Sequence, residues 1–161
     1  EMVKYCTTFE CRRISMSRHF KEKITTADCN FMCDNCNCTD GVRSVDVSEL
    51  AKQVINVCQY SWSIKNKLTL LQMVTILRTG KLKKIALDPK MVSKVQGMKK
   101  KDIEDLLVHM LIEDVLEQKP NHTAYTVNVY LKCGYKAKGV SKGVPLAMDK
   151  RDDETKKKAA K

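Results

Sequence analysis

Long hydrophobic runs are missing from this chain of 161 residues. Its apolar segments are only a few residues long, which excludes a membrane helix of about 20 apolar residues. The first residues, Glu1 to Cys6, lack a basic segment followed by an apolar core, so we expect no signal peptide. The chain also begins without an initiator Met, and we expect it to be an excised fragment of a longer protein.

Histidines are few, and a nucleotide-binding motif is absent from the sequence. The 3 His include no His-x-x-x-His pair, which argues against a catalytic zinc ion held by imidazoles. The sequence contains no Gly-x-x-x-x-Gly-Lys-Ser/Thr phosphate loop. We therefore predict that this chain alone hydrolyses no ATP and is not an enzyme, and a free-standing zinc enzyme is the weakest of the alternatives.

Acidic residues are scarce in one long segment. The chain has 30 Lys and Arg against 19 Asp and Glu, a formal net charge of +11. Residues 60–101 carry 11 basic residues and one acid, Asp88. Because a surface that serves only solubility mixes both signs, we predict that this segment forms a functional basic face. The charge favours nucleic acid as the partner over an acidic membrane or protein.

Cysteine, in contrast, is abundant and clustered. Six of the 8 Cys lie in the first 38 residues. In a chain without a signal peptide, this clustering indicates a metal site rather than a disulfide framework. Tetrahedral zinc is often held by a close set of thiolates plus a remote one. The spacing predicts one structural zinc ion bound by Cys11, Cys29, Cys33 and Cys36.

Alternatives to this ligand set stay open. Cys38 is an alternative to Cys36, although a Cys-x-Cys pair makes a poorer chelate for one tetrahedral ion. His19 is a second alternative ligand, and a surface position on a basic helix is favoured for it. We predict that Cys6 and Cys58 are buried apolar residues rather than ligands.

The residue pattern divides the chain into three parts. These are a zinc-binding subdomain (1–40), a second domain (41–138) and a basic tail (139–161). Turn residues at positions 39–41 mark the first boundary. The first part is predicted to form helices over 1–8 and 9–23 and a cysteine loop over 24–38. The tail is rich in Gly, Lys and small residues, and we predict that it is disordered.

Three helices are predicted in the second domain from apolar residues at helical spacing. The first covers 46–60, the second begins after Thr69 and ends at Gly80, and the third begins at Asp102. The segment 81–100 is predicted to be irregular, since Pro and Gly interrupt it.

After the third helix, the apolar period changes from 3.6 to 2. Tyr125 opens an alternating run that predicts a β-strand, and its partner strand is predicted at about 115–119. The turn between them is predicted at Pro120-Asn121-His122. Three helices followed by a hairpin, here about 115–132, form the plan of a winged helix. The predicted fold class is mainly α with a β-hairpin: a helical four-cysteine zinc-binding subdomain followed by a winged-helix domain.

Several of these segments resemble one family, the RecQ DNA helicases. The cysteine segments are similar to its zinc-binding subdomain: Met2 to Cys6, Cys11-Arg12-Arg13, His19-Phe20, Cys29 and Met32 to Cys36. Three later segments are similar to its winged helix: Lys67-Leu68-Thr69, Asp102-Ile103-Glu104 and Thr123-Ala124-Tyr125. The three-residue gap between Cys29 and Cys33 resembles the short animal members. The resemblance covers about residues 1–138.

The resemblance implies an accessory region of a 3′-to-5′ helicase that acts in DNA repair, replication or recombination. Such a region grips double-stranded and forked DNA, and the helicase's own RecA-like lobes, which bind ATP and Mg²⁺, adjoin it. The resemblance implies a nuclear protein with no membrane partner, and it leaves assembly of several copies through the hairpin open. In the family, an aromatic residue at the hairpin end separates the strands. Tyr125 matches it here, and His122 is a candidate helper.

The start of the second helix is the predicted phosphate site, because free backbone N–H groups and a positive helix end attract anions there. The candidate residues are Lys65, Lys67, Thr69, Arg78, Lys81, Lys83 and Lys84. For any single lysine, a solvated surface position without a DNA contact is as favoured as a phosphate contact. For the whole chain, the principal alternative is a winged-helix protein-interaction module with a structural zinc scaffold, and salt-dependent binding of duplex DNA separates the two.

Overall fold

The structure, a computed structural model, describes residues 2–38, 41–82 and 85–151. It is a mixed, mainly helical fold with small β-hairpins, and it divides into two compact units. The first unit comprises residues 1–45 and 149–161, and the second comprises residues 46–148. Within the described ranges, no helix has the length and apolar character needed to cross a membrane.

The first unit is built from short elements. In chain order they are α1 (Met2–Thr7), α2 (Arg12–His19), α3 (Thr26–Cys29), α4 (Asp34–Asn37) and β1 (Val42–Asp46). The predicted helices over 1–8 and 9–23 are thus present but shorter, and the predicted cysteine loop contains α3 and α4. Asn30 and Phe31 between these two helices both have left-handed backbones, with φ of 46° and 56°, which bends the chain sharply there.

The second unit contains longer helices and the main hairpin. Its elements are α5 (Ser48–Ser63), α6 (Leu70–Thr79), β2 (Lys81–Leu82), β3 (Ile85–Ala86), α7 (Pro89–Val92), α8 (Lys100–Ile112), β4 (Leu116–His122), β5 (Val127–Cys133) and α9 (Ala137–Ser141). The last strand, β6 (Ala147–Arg151), passes from the second unit into the first, to which its residues 149–151 belong, and it pairs with β1. Strands β2 and β3 form an antiparallel pair, as do β4 and β5.

Apolar faces of α5, α6, α8 and the β4–β5 hairpin form the core of the second unit. The largest fully buried side chains are Ile55, Leu68, Met73, Ile76, Leu77, Ile103, Leu106, Leu107, Met110, Leu116 and Leu131. The predicted limits of α6 are confirmed, since Thr69 caps its start and Gly80 ends it with a left-handed φ of 70°. The prediction of an irregular segment 81–100 is wrong in part, because β2, β3 and α7 lie within it.

The prediction of a disordered tail at 139–161 is wrong for residues 139–151. Part of α9 and all of β6 lie in this segment, and Val140 and Leu146 are buried. The Leu146 backbone also joins the start of α5, since its N–H donates to the Ser48 hydroxyl over 2.8 Å and its carbonyl accepts from Val47 N–H over 2.9 Å. Burial of a few apolar side chains therefore orders a segment of polar composition. Residues 152–161 lie outside the described residues.

The predicted position of the hairpin turn is also wrong. Pro120, Asn121 and His122 lie in β4, and His122 pairs with Val127 of β5. The residues between the strands are 123–126. Pro120 is tolerated because a two-stranded hairpin has only edge strands, where a missing N–H need not break the ladder.

Candidate metal centre and hairpin surface

The four predicted thiol ligands converge in the first unit. The Sγ atoms of Cys11, Cys29, Cys33 and Cys36 all lie within 4.8 Å of one another. Cys11 is the residue before α2, Cys29 is the last residue of α3, Cys33 is the residue before α4, and Cys36 lies within α4. The short helices thus bring three sequence neighbours and one remote residue to one point.

The geometry of this four-thiol cluster fits a structural zinc ion. Zn–S bonds of about 2.3 Å in a tetrahedron place neighbouring sulfurs roughly 3.8 Å apart. The Sγ atoms of Cys33 and Cys11 are 3.9 Å apart. Cys11 and Cys29 are buried, and Cys33 and Cys36 are half-buried, so the cluster is shielded from water. The cluster therefore has the donor type, spacing and burial that a structural zinc ion needs.

Hydrogen bonds already favour a thiolate within the cluster. Desolvation opposes ionisation of Cys33, but the backbone N–H groups of Cys36 and Arg12 donate to its sulfur and lower its pKa to about 6. The Cys36 N–H lies 3.3 Å from the Cys33 Sγ. Cys36 itself holds its proton, because its hydrogen bonds with Cys33 and then Cys11 raise its pKa to about 12. A metal ion must displace such protons, so we expect metal binding to release them.

Arg12 links three segments around the four-thiol cluster. Its Nε donates to Asp34 Oδ1 over 3.1 Å, and its guanidinium donates to the Tyr5 carbonyl and lies 5.2 Å from the Tyr5 ring centre. Its hydrogen bond to Asp34 raises the pKa of Arg12 and lowers the pKa of Asp34. These contacts hold α1 and α4 beside Arg12, which directly follows Cys11.

Asn35, one residue before Cys36, is a second anchor that sequence analysis missed. Its Nδ2 donates to the carbonyls of Thr8 and Glu10, over 2.9 and 2.7 Å. Its Oδ1 accepts a hydrogen bond of 2.8 Å from the guanidinium of Arg151, at the end of β6. The partners lie more than 20 residues away, so no local sequence pattern signals this contact.

The other cysteines and His19 are not part of the four-thiol cluster. Cys38 is half-buried and is not among the four grouped thiols, and His19 is exposed in the last turn of α2. The predicted burial of Cys6 is wrong, because α1 is short and buries none of its residues. The predicted burial of Cys58 in the core is confirmed.

The tip of the β4–β5 hairpin presents an aromatic ring to solvent. Tyr125 is 96% exposed. The tip is closed by two threonines: Thr123 N–H donates to the Thr126 carbonyl over 2.8 Å, and Thr126 N–H donates to the Thr123 hydroxyl over 3.1 Å. His122 is exposed at the end of β4. A closed, polar turn therefore holds the ring away from the sheet.

The predicted phosphate residues separate into two groups along α6. Lys65, Lys67 and Thr69 precede its first turn, whereas Arg78 lies in its last turn and Lys81 follows in β2. A helix of 10 residues rises about 15 Å, so one phosphate cannot contact both ends. Lys83 and Lys84 lie outside the described residues.

Thr69 caps α6 through a reciprocal pair of hydrogen bonds. Its hydroxyl accepts from Gln72 N–H over 3.4 Å, and its own N–H donates to Gln72 Oε1 over 3.0 Å. A hydroxyl that accepts one bond can still donate another. The start of α6 thus keeps one side-chain donor beside the N–H groups of its first turn.

Trp62, which sequence analysis did not select, lies at the root of the hairpin. Its indole Nε1 donates to the Leu131 carbonyl of β5 over 2.8 Å. The ammonium groups of Lys67 and Lys119 lie 5.1 and 5.7 Å from the centre of its ring system. One signal was available, because Trp62 is the single tryptophan of the chain and lies in its most basic segment.

Comparison with known proteins matches two families to successive parts of the chain. A RecQ zinc-binding family matches residues 1–37, and the RQC domain family matches residues 41–158. ATP-dependent DNA helicase Q-like 2 of Arabidopsis thaliana is 32% identical over 159 residues, which are 98% of this chain and 21% of that protein.

Animal relatives have comparable sequence identity to this chain. ATP-dependent DNA helicase Q1 of Pongo abelii is 30% identical over 143 residues, covering 85% of this chain and 21% of the relative. A putative ATP-dependent DNA helicase Q1 of Caenorhabditis elegans is 27% identical over 144 residues, covering 84% of this chain and 21% of the relative.

The chain thus spans about a fifth of the length of the curated relatives it matches. The domain matches run in the order zinc-binding, then RQC, and the four-thiol cluster lies within the first of them. This chain belongs to the RecQ family of DNA helicases and contains the zinc-binding and RQC domains of that family.

Proposed function

We propose that this chain is the zinc- and DNA-binding accessory region of a RecQ-type 3′-to-5′ ATP-dependent DNA helicase. The observation that carries the proposal is the match of the RQC family to residues 41–158, which contain both the basic segment and the exposed Tyr125. In this proposal α5, α6 and α8 form the three helices of a winged helix, and β4–β5 is its wing.

Zinc has a structural role in this proposal. Bound by Cys11, Cys29, Cys33 and Cys36, the ion would cross-link α2, α3 and α4. Four thiolates fill a tetrahedral shell and leave no open position for a substrate. The chain's own contribution is to supply preformed donors, with Arg12 and Asn35 holding the segments on which the thiols lie.

Duplex DNA would contact the start of α6 through its phosphates. Free N–H groups in the first helical turn and the Thr69 hydroxyl are suited to a phosphate oxygen, and Lys65 and Lys67 add positive charge. Phosphate contacts position a protein on DNA without reading base sequence. Arg78 and Lys81 would meet a different phosphate, because they lie at the other end of α6.

The Tyr125 ring would act where the duplex opens. When one base pair opens, the next pair loses a stacking neighbour, and an exposed flat ring replaces part of that stacking, about 1–3 kcal/mol. Its exposure and closed turn suit this role, since the ring has no competing contact with the sheet. His122, at the end of β4, is a candidate second stacking group.

The remaining parts of the proposal concern the longer protein. Its ATP- and Mg²⁺-dependent RecA-like lobes would pull the DNA, and this chain would hold the fork beside them. We place the protein in the nucleus, where its DNA substrate lies, and we propose that contact between hairpins of separate copies supports assembly.

Duplex binding at several salt concentrations tests the phosphate contacts. Replacing Lys67 by Ala should weaken binding to different duplex sequences alike and lower the salt slope by roughly one. Lys52→Ala is the matched control, because Lys52 lies on α5 with its Nζ 2.8 Å from Glu49 Oε1. Absence of salt-dependent duplex binding by the unmodified chain would contradict the proposal and favour a protein-interaction module.

Strand separation is tested in the full-length helicase. Tyr125→Ala should leave DNA-stimulated ATPase nearly intact and strongly reduce unwinding of forked DNA, because only the stacking ring is lost. Tyr125→Phe, which keeps the ring, should retain most unwinding. Unchanged unwinding by Tyr125→Ala would remove Tyr125 as the separating residue, and equal loss of both activities would indicate a role in folding or DNA loading.

A further inference from the structure

Two lysines and two aromatic rings meet where the middle of the β4–β5 hairpin lies against the end of α5, away from the hairpin tip. We call Trp62, Lys67, Lys119 and Tyr130 the root cluster. Trp62 lies in the last turn of α5, Lys67 precedes α6, Lys119 lies in β4 and Tyr130 lies in β5. Trp62 and Lys67 lie more than 50 positions before Lys119 and Tyr130, so only the folded second unit brings the two pairs together.

The distances within the root cluster place both cations beside ring faces. Lys67 Nζ lies 5.1 Å from the centre of the Trp62 ring system and 5.9 Å from the centre of the Tyr130 ring. Lys119 Nζ lies 5.7 Å from the Trp62 centre. Lys119 and Tyr130 are direct cross-strand partners, so their side chains share one face of the hairpin.

The backbone fixes the Trp62 ring in place. Its Nε1 donates to the Leu131 carbonyl over 2.8 Å, and the Leu131 N–H donates to the Leu68 carbonyl over 2.8 Å. Trp62 and Tyr130 are both half-buried, while Lys67 and Lys119 are exposed. The cluster therefore combines an anchored Trp62 ring with exposed charges.

The charge of the root cluster is not neutralised within the described part of the chain. There, neither Lys67 nor Lys119 forms an ion pair with a carboxylate, whereas the nearby Lys132 Nζ lies 3.1 Å from Glu117 Oε1. Two ammonium groups beside one ring repel each other. An exposed cation–π contact is weak, so an anion that pairs with the ammonium groups can displace one from the ring.

A nucleotide has the matching chemistry, a phosphate for the lysines and a flat base for the rings. In a duplex, the base faces are covered by stacking, whereas an unpaired strand offers them freely. Proteins that bind single strands combine positive charge with aromatic platforms in this way. We propose that the root cluster binds one or two nucleotides of an unpaired DNA strand.

This inference rests on the proposed function, because strand opening at the hairpin supplies the unpaired strand. Tyr125 in the turn and Tyr130 in β5 are five positions apart, a distance of at most roughly 17 Å along the hairpin. A strand released at the tip therefore reaches the root cluster by running down one face of the hairpin. The cluster would keep that strand from re-forming the duplex.

Tryptophan fluorescence tests the inference directly, since Trp62 is the only tryptophan in the chain. A short oligothymidylate should quench the emission of the zinc-loaded chain as it binds. A blunt duplex should bind, as measured by anisotropy of a dye on the DNA, and quench the emission far less, because its phosphates reach Lys67 but its stacked bases do not contact the Trp62 ring. The two ligands thus separate base contact at the root cluster from phosphate contact alone.

Variants measure the contribution of each group. Lys119→Ala should lower the salt slope for oligothymidylate by about 0.7, as loss of one phosphate contact on a single strand predicts. Lys132→Ala is the matched control on the same face, because Glu117 already neutralises Lys132. Trp62→Ala should weaken oligothymidylate binding at least about fivefold, with folding checked by circular dichroism.

The outcomes distinguish this inference from the proposed function. If duplex DNA binds but oligothymidylate does not quench the emission, the root cluster does not bind an unpaired strand, and the proposed function still stands. Equal losses from Lys119→Ala and Lys132→Ala would overturn it as well, because general charge would then explain binding. If neither DNA binds, both the inference and the proposed function fail.

Discussion

The two units of the chain bury different kinds of side chain. Among the described residues of the first unit, the buried ones are Cys11, Ser17 and Cys29, and two of these three belong to the four-thiol cluster. The second unit buries a continuous set of Leu, Ile, Val and Met side chains from three helices and a hairpin. One unit is therefore organised around sulfur and the other around hydrocarbon.

This difference assigns a different source of stability to each unit. The first unit exposes large apolar side chains, among them Phe20, Phe31 and Met32, and buries little apolar area. A segment of this kind is too small to be stable through its core, and metal binding supplies its folding free energy. The second unit has the apolar core that a domain of about 100 residues uses to fold without a metal.

The largest expected effect comes from breaking the four-thiol cluster. Cys29→Ser should reduce zinc content from about one ion per chain to nearly none, because Ser is a far weaker zinc ligand than thiolate. The first unit should then unfold while the second unit stays folded. Metal analysis and two-dimensional NMR would measure both effects. Cys38→Ser is the matched control and should keep its zinc; loss of zinc from Cys38→Ser but not from Cys36→Ser would contradict the ligand set.

A core substitution should produce the reverse pattern. Leu107 is fully buried in α8, so Leu107→Ala should lower the unfolding free energy of the second unit by about 2–5 kcal/mol. Zinc content should not change. Urea unfolding followed by the fluorescence of Trp62 would measure the loss, with exposed Leu71→Ala as the control. Loss of zinc along with the core would show that the two units do not fold separately.

The side-chain anchor beside the thiols should matter less than the thiols do. Asn35→Ala leaves the carbonyls of Thr8 and Glu10 without their amide donor, which should cost about 1–3 kcal/mol of stability in the zinc-loaded first unit. Zinc should still bind, with lower affinity. Competition with a chromogenic chelator would measure the affinity, and Asn37→Ala, in the same helix, serves as the control. A zinc affinity of Asn35→Ala as low as that of Cys29→Ser would contradict the prediction that Asn35 matters less than the thiols.

The smallest expected effect concerns Asp46, beside the start of α5. Hydrogen bonds from the Ser48 hydroxyl and N–H lower the pKa of Asp46 below its ordinary value of 3.8. A lowered pKa stabilises the fold above pH 3.8, and the stabilisation is lost as the pH falls through the lowered pKa. Asp46→Asn should therefore destabilise the second unit slightly at neutral pH and not at all in stronger acid. A pH-independent difference in urea midpoint would contradict this assignment.

Sequence reasoning worked best where the determining contacts are local. The limits of α6 follow from Thr69 and Gly80, and the convergence of the thiols follows from cysteine spacing. The hairpin turn was misplaced, because Pro and Asn were weighed above the paired threonines that close the loop at 123–126.

Contacts between distant parts of the chain were beyond the sequence. β6 forms because it pairs with β1, about 100 positions earlier, and because Leu146 beside it is buried. Trp62 and Lys119 meet only because Leu131 fixes the hairpin against α5. Such contacts depend on tertiary packing, which neither composition nor periodicity encodes locally.

Amide hydrogen exchange with and without a strong chelator tests the central comparison most directly. With zinc present, amides of α2 and α4 in the first unit and of α6 and α8 in the second unit should all be protected. After chelation, we expect α2 and α4 to lose protection while α6 and α8 keep it. Protection of α2 and α4 that survives metal removal, or loss of protection in both units together, would contradict the account.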